Sequence, residues 1–78
     1  YWMNQSDHVK IARLQNQIMG HLGLNSEQIV FDHREDNGQI ALDLITVNPH
    51  HAQSFLFKSL KGTDRVDALE KALQYVVA

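Results

Sequence analysis

Apolar residues recur along this chain with two different periods, and the switches between them lay out the elements. Ile11, Leu14, Ile18 and Leu22 are spaced by three, four and four, which stacks them into one stripe on a helix. Lys10, Arg13, Asn16 and Gln17 occupy the other side. Ahead of the stripe, Ser6-Asp7 places an N-cap at Asp7, whose carboxylate can accept from the unpaired N–H groups of a first turn. Gly20 weakens the last turn by up to ~1 kcal/mol relative to Ala. Gly23 can take the left-handed conformation that stops a helix, with Leu24 closing an apolar contact behind it. The spacing therefore predicts a helix from Asp7 through about Leu22.

Beyond Gly23 the period drops to two. Gln28–His33, with Ile29-Val30-Phe31 at its centre, reads as a first strand. Arg34-Glu35-Asp36-Asn37-Gly38 reads as the hairpin connection, because Asn-Gly tolerates the positive φ angles that tight hairpins need. The second strand, Gln39–Val47, alternates Ile40, Leu42 and Leu44 with Ala41, Asp43, Ile45 and Val47. Pro49 cannot donate to a ladder, so Asn48-Pro49-His50-His51 is predicted to turn. Gln53–Leu60 is the third strand, with Phe55 and Phe57 opposite Leu56, Lys58 and Leu60. After Lys61-Gly62-Thr63, a second helix capped by Thr63 or Asp64 carries the stripe Val66, Leu69, Leu73 and Val76, backed by Ala68 and Ala72.

Both stripes need burial and the connections are short. The economical solution is an α+β two-layer sandwich of order α-β-β-β-α, with both helices on one face of an antiparallel three-stranded sheet. Ile29, Phe31, Ile40, Leu42, Leu44, Phe55 and Phe57 are expected on the helix-facing side. The open face then carries Val30, Ile45, Val47, Leu56 and Leu60 beside Asp32, Asp43 and Lys58. That is more aliphatic surface than solvent contact calls for, and a contiguous patch of this kind marks a contact surface.

The 78 residues form one small domain with an ordinary hydrophobic fraction of 44%. An opening Tyr1 in place of Met reads as the start of a module cut from a longer protein. No cysteine is present, which excludes disulfides and thiolate metal sites and fits a reducing cytoplasm. No apolar run approaches the ~20 residues of a membrane-spanning helix, so no membrane partner is expected. A net charge of −2 gives no global pull toward nucleic acid. Tyr1 and Trp2 are expected to pack the tail onto the sheet or a helix.

The element order, from about Asp7 to Val77, resembles the double-stranded RNA-binding domain. That resemblance implies a helix-on-sheet fold whose RNA contacts come from three places: the first helix, the loop between strands one and two, and a lysine-rich start to the second helix. Here the loop Arg34-Glu35-Asp36-Asn37-Gly38 lacks the family's Gly-Pro-x-His signature. The second helix begins Thr63-Asp64-Arg65-Val66-Asp67-Ala68, where the family places lysines. The fold is implied by the likeness and the RNA function is not.

Candidate chemistry is sparse. His8, His21, His33, His50 and His51 read as surface and turn histidines, with no carboxylate cluster to complete a tetrahedral metal set. Asp32, Glu35, Asp36 and Asp43 read as solvated charge in place of an acid–base pair. No nucleophile–base arrangement, phosphate loop or cofactor fingerprint is present, so no catalytic, metal or cofactor residues are assigned. The leading expectation is a non-catalytic module acting by protein contact or homodimerisation through Val30, Ile45, Val47, Leu56 and Leu60. The alternative is weak nucleic-acid binding through Lys10, Arg13, Lys58, Lys61 and Arg65, the last three converging near the start of the second helix.

Overall fold

The computed structural model describes residues 5–78; the packing expected of Tyr1 and Trp2 lies outside the described residues. Five elements follow in the expected order: α1 (Gln5–Leu22), β1 (Ile29–Asp36), β2 (Gln39–Asn48), β3 (Gln53–Gly62) and α2 (Arg65–Val77). The strands form one antiparallel sheet in the order β1-β2-β3, so β1 and β3 are its edges. Ile18 of α1, Leu42 and Leu44 of β2, and Ala68, Leu69 and Ala72 of α2 make one buried cluster, which places both helices on the same sheet face.

The ends of α1 differ in how they follow the sequence. The helix begins at Gln5, so Asp7 lies inside its first turn and is not the cap. A carboxylate there is still favourable, because the N-terminal end of a helix carries partial positive charge. The C-terminal stop is as expected. Gly23 has φ 69, its N–H donates to the Gly20 carbonyl at 3.3 Å, and the Leu24 N–H donates to the Met19 carbonyl at 3.0 Å. These are the paired bonds of a Schellman motif.

Both hairpins are tighter than the pattern suggests. Asn37 and Gly38 have φ 53 and 79, and Asp36 pairs directly with Gln39. Two successive positive φ values match the natural twist of the strands, so the turn needs only these two residues. Arg34, Glu35 and Asp36 consequently belong to β1 and not to a loop. At the other end Asn48 pairs with Gln53 across Pro49-His50-His51-Ala52. Asn48 organises that loop, its side-chain oxygen accepting from the His50 N–H at 3.1 Å and its carbonyl from the His51 N–H at 3.2 Å.

The main correction lies in β3. Leu44 pairs with Lys58 while Ile45 pairs with Leu56, so Phe57 is an extra residue and the strand is bulged there. Side-chain alternation restarts after it. Leu60 pairs with Leu42 and packs against the core, and Lys58 lies opposite Leu44 on the same side; both were expected on the open face. Phe55, opposite Thr46, is on the helix-facing side but is 61% exposed, and Phe57 is 44% exposed, so neither joins the buried cluster.

How closely α2 sits on the sheet is set at its start. Gly62 is buried, and a Cβ there would lie 2.5 Å from the Ala68 nitrogen and 2.8 Å from its Cα. Asp64 caps the helix, accepting from the Asp67 N–H at 2.8 Å, and Asp67 reaches back to accept from the Thr63 N–H at 2.9 Å. This reciprocal arrangement satisfies two donors that the helix itself leaves unpaired.

Leu42→Ala should destabilise by roughly 2–5 kcal/mol, the usual range for truncating a fully buried leucine. Ile45→Ala and Phe57→Ala, at half-exposed positions, should each cost clearly less. Gly62→Ala should cost about 1–3 kcal/mol through overpacking against Ala68. Urea unfolding of the four variants checks the facing of the sheet. An Ile45→Ala loss equal to that of Leu42→Ala would invert it.

Candidate interaction surface

The open face of the sheet is divided across its length. Val30, Ile45 and Leu56 are in register across β1, β2 and β3 and form one apolar row, with Val47 two residues further along β2. Val30 is 48% exposed and Leu56 62%, while Ile45 and Val47 are half-buried. Leu60, expected with them, is absent from this face because of the bulge. Four of the five expected contact residues are thus brought together.

The next rows are polar. Asp32, Asp43 and Ser59 align across the strands, followed by Arg34, Ala41 and Lys61. The Ser59 hydroxyl donates to Asp43 at 2.6 Å, and Arg34 Nε donates to the same carboxylate at 3.4 Å. Lys61 Nζ lies 3.0 Å from Asp36, and Arg34 Nη1 lies 3.8 Å from it. The Lys61 hydrogen bond, helped by the charges of Lys61 and Arg34, holds the Asp36 carboxyl below its ordinary value. Ala41 has no exposed surface, consistent with the Arg34 and Lys61 stems lying along it from either side. Exposed ion pairs of this kind add little to stability, and their consequence is to tie up the charges on this half of the face.

The β3 edge adds a feature the sequence reading missed. Every residue from Gln53 to Phe57 is exposed, with Phe55, Leu56 and Phe57 in succession. Tyr75 of α2, 44% exposed, meets Phe57 edge-on at a ring separation of 6.2 Å, and Lys58 Nζ lies 4.8 Å from the Tyr75 ring centroid. A cation over a ring face is attracted by its quadrupole, which helps fix the end of α2 beside β3. A run of aromatic and aliphatic residues in a strand reads as core, so exposure became visible only with the register.

The basic residues do not converge. Lys61 is on the open face in its ion pair with Asp36, whereas Lys58 is on the helix side over Tyr75. Arg65 opens α2 close enough to His33 for its charge to act on that ring. Lys10 and Arg13 line a cleft of about 310 Å³ between the helices, together with Glu70 and Gln74. The start of α2 is also poorly suited to a phosphate. Asp64 and Asp67 put two carboxylates there, accepting from the Asp67 and Thr63 N–H groups, and Lys71 sits 3.2 Å from Asp67. The Thr63 backbone N–H, followed by the Lys71 hydrogen bond, holds the Asp67 carboxyl below its ordinary value.

Among the histidines, His8, His21, His50 and His51 are exposed, while His33 is half-buried with Nε2 out of solvent and without a hydrogen-bond partner among the described residues. Among the described residues no group of three or more His, Cys, Asp or Glu side chains could hold a metal ion, and no helix is long and apolar enough to cross a membrane. No protein family, curated protein or solved structure matches the chain.

Burial, then the charge of Arg65, holds His33 below its ordinary value of 6.5, with Asp32 opposing in part. As pH falls through 6.5 the unfolded chain therefore takes up a proton before the folded one does. The stability carried by neutral His33 is complete above that value and is lost as pH drops toward the folded one. Urea unfolding at about pH 7.5 and pH 5 should show the parent weaker in acid, and His33→Phe should shrink the difference. An unchanged difference in His33→Phe would contradict the assignment.

Proposed function

We propose that the chain is a non-catalytic interaction module that binds protein through the open sheet face, with Val30, Ile45, Val47 and Leu56 as its contact residues. The alignment of Val30, Ile45 and Leu56 in one apolar row across all three strands carries this reading. An exposed apolar row bordered by polar side chains is the arrangement protein contacts use, since its burial removes hydrocarbon from water while the rim keeps its solvent. The carboxylates Asp36 and Asp43 on the same face are engaged by Lys61, Arg34 and Ser59, which supports contact over acid–base work. A reducing cytoplasm suits a module without cysteine. Its small core suits one that gains stability from a partner.

Light scattering between about 10 and 500 μM, the range in which modest interfaces respond to concentration, is the first test. The apparent mass should rise above the 8.9 kDa of one chain, and Ile45→Glu and Leu56→Glu should each return it toward that value. A parent that stays at one chain's mass, with both variants indistinguishable from it in any partner binding, would remove the reading. Duplex RNA at low salt and about 100 μM should not bind. Binding that weakens steeply as salt rises would favour the lysines and arginines over the apolar row.

A further inference from the structure

The two edges of the sheet are guarded very differently. β1 is uncharged only over Ile29-Val30-Phe31, where Ile29 is buried and Phe31 partly so, and then carries Asp32, His33, Arg34, Glu35 and Asp36 in succession, charges that keep an edge strand from pairing with another chain. The first half of β3 has no such protection. Gln53 to Phe57 is uncharged and exposed, and Lys58 and Lys61 come only at and after the bulge. An edge strand still presents backbone N–H and C=O groups on its outer side, so this segment joins an unguarded ladder to apolar side chains on both faces.

We infer that the partner for this surface is a second copy of the chain, paired antiparallel along Phe55–Phe57 with a two-fold axis at Leu56, so that two sheets become one of six strands. The inference goes beyond the open-face reading above: it concerns the adjoining β3 edge, which shares only Leu56 with that face. Self-complementarity is the first reason. An axis perpendicular to the sheet sets each residue against one facing the same way, and at Leu56 it places Leu56 against itself and Phe55 against Phe57. The open-face row Val30, Ile45, Leu56 then runs on without interruption into the same three residues of the second copy. On the helix side each Phe55 meets a Phe57 that already leans on Tyr75.

The second reason is area. Phe55, Leu56, Phe57 and Tyr75 are 61%, 62%, 44% and 44% exposed. They leave on the order of 400 Å² of side chain uncovered per copy. Two copies together offer at most about 800 Å² of side chain plus the paired backbone, the scale of a weak, transient contact below the ~1,200 Å² of standard interfaces. A contact of that size makes a dimer whose population depends on concentration. The bulge and Lys58 end the pairing on one side, which limits it to the apolar segment and prevents open-ended strand addition.

The chain has no cysteine, so a single introduced thiol reports its own neighbours. Phe55→Cys is mixed with isotope-labelled Phe57→Cys under mild oxidation, and the disulfide-linked species are separated by mass. Directly opposed residues in adjacent strands are about 4.5–5.5 Å apart at Cβ, near enough for a disulfide after slight adjustment. The mixed disulfide should form at least about tenfold faster than the Val30→Cys homodisulfide of the β1 edge, and faster than either β3 variant with itself. In sedimentation, Phe55→Lys should weaken self-association by about tenfold or more, whereas Val30→Lys should weaken it less. A parent that remains monomeric at about 500 μM, with no excess of mixed disulfide, overturns the edge dimer. Self-association that Ile45→Glu abolishes while Phe55→Lys and the disulfide rates are unaffected also overturns it, and leaves the open-face contact standing.

Discussion

One extra residue in β3, opposite the step from Leu44 to Ile45, decides which of that strand's side chains belong to the core. After the bulge, Leu60 faces Leu42 beneath the helices. Before it, Phe55 and Leu56 lie largely in solvent, and Phe57 is covered only in part by Tyr75. The large fully buried side chains are Ile18, Leu42, Leu44 and Leu69, and none of the three phenylalanines is among them. A domain of this size has too little interior to cover every ring it carries. The most exposed large apolar side chains in succession, Phe55, Leu56 and Phe57, therefore lie at one end of one edge strand, where another chain can complete what the fold leaves uncovered.

The position of α2 follows from contacts at both of its ends. Gly62 lets the first turn approach β3 to a distance that a side chain would forbid, and the reciprocal bonds of Asp64 and Asp67 fix where the helix begins. From that start the helix carries Tyr75 to Phe57 and Lys58. The same geometry makes the helix N-terminus unwelcoming to anions, because two carboxylates, Asp64 and Asp67, sit there and one of them takes the Asp67 N–H. One set of local bonds thus disfavours a phosphate site at one end and supports an aromatic contact at the other.

Much of this architecture was legible in the residues. The helical stripes, Gly23, the alternation of Ile40, Leu42 and Leu44, and Asp64 before α2 each act locally, and local rules predicted the element order and the core of β2. The tight Asn37-Gly38 turn was half legible, since the residue types were recognised but Arg34, Glu35 and Asp36 were assigned to a loop. The bulge was only faintly marked in the sequence. Phe55-Leu56-Phe57-Lys58-Ser59-Leu60 breaks the period of two at Lys58-Ser59, but only its pairing with β2 shows which residue is extra and where the alternation restarts. The candidate surface divided along the same line. Val30, Ile45, Val47 and Leu56 share a face by parity, whereas Leu60 left it and the exposed edge joined the picture through register. Lys58 and Lys61 are close in sequence yet lie on opposite faces of the sheet, so proximity along the chain misrepresented the charge pattern.

If β3 is the strand through which the chain meets another copy of itself, its outward-facing amides respond to protein concentration. Amide hydrogen exchange read at about 5 and 500 μM tests it without any substitution, because outward-facing amides of a free edge exchange readily until a second strand accepts their bonds. A β3-edge dimer gives slower exchange at the higher concentration in the Gln53–Phe57 segment, with the amides of the β1 edge unchanged. Exchange in that segment that is identical at both concentrations, or protection that appears on β1 instead, would contradict it.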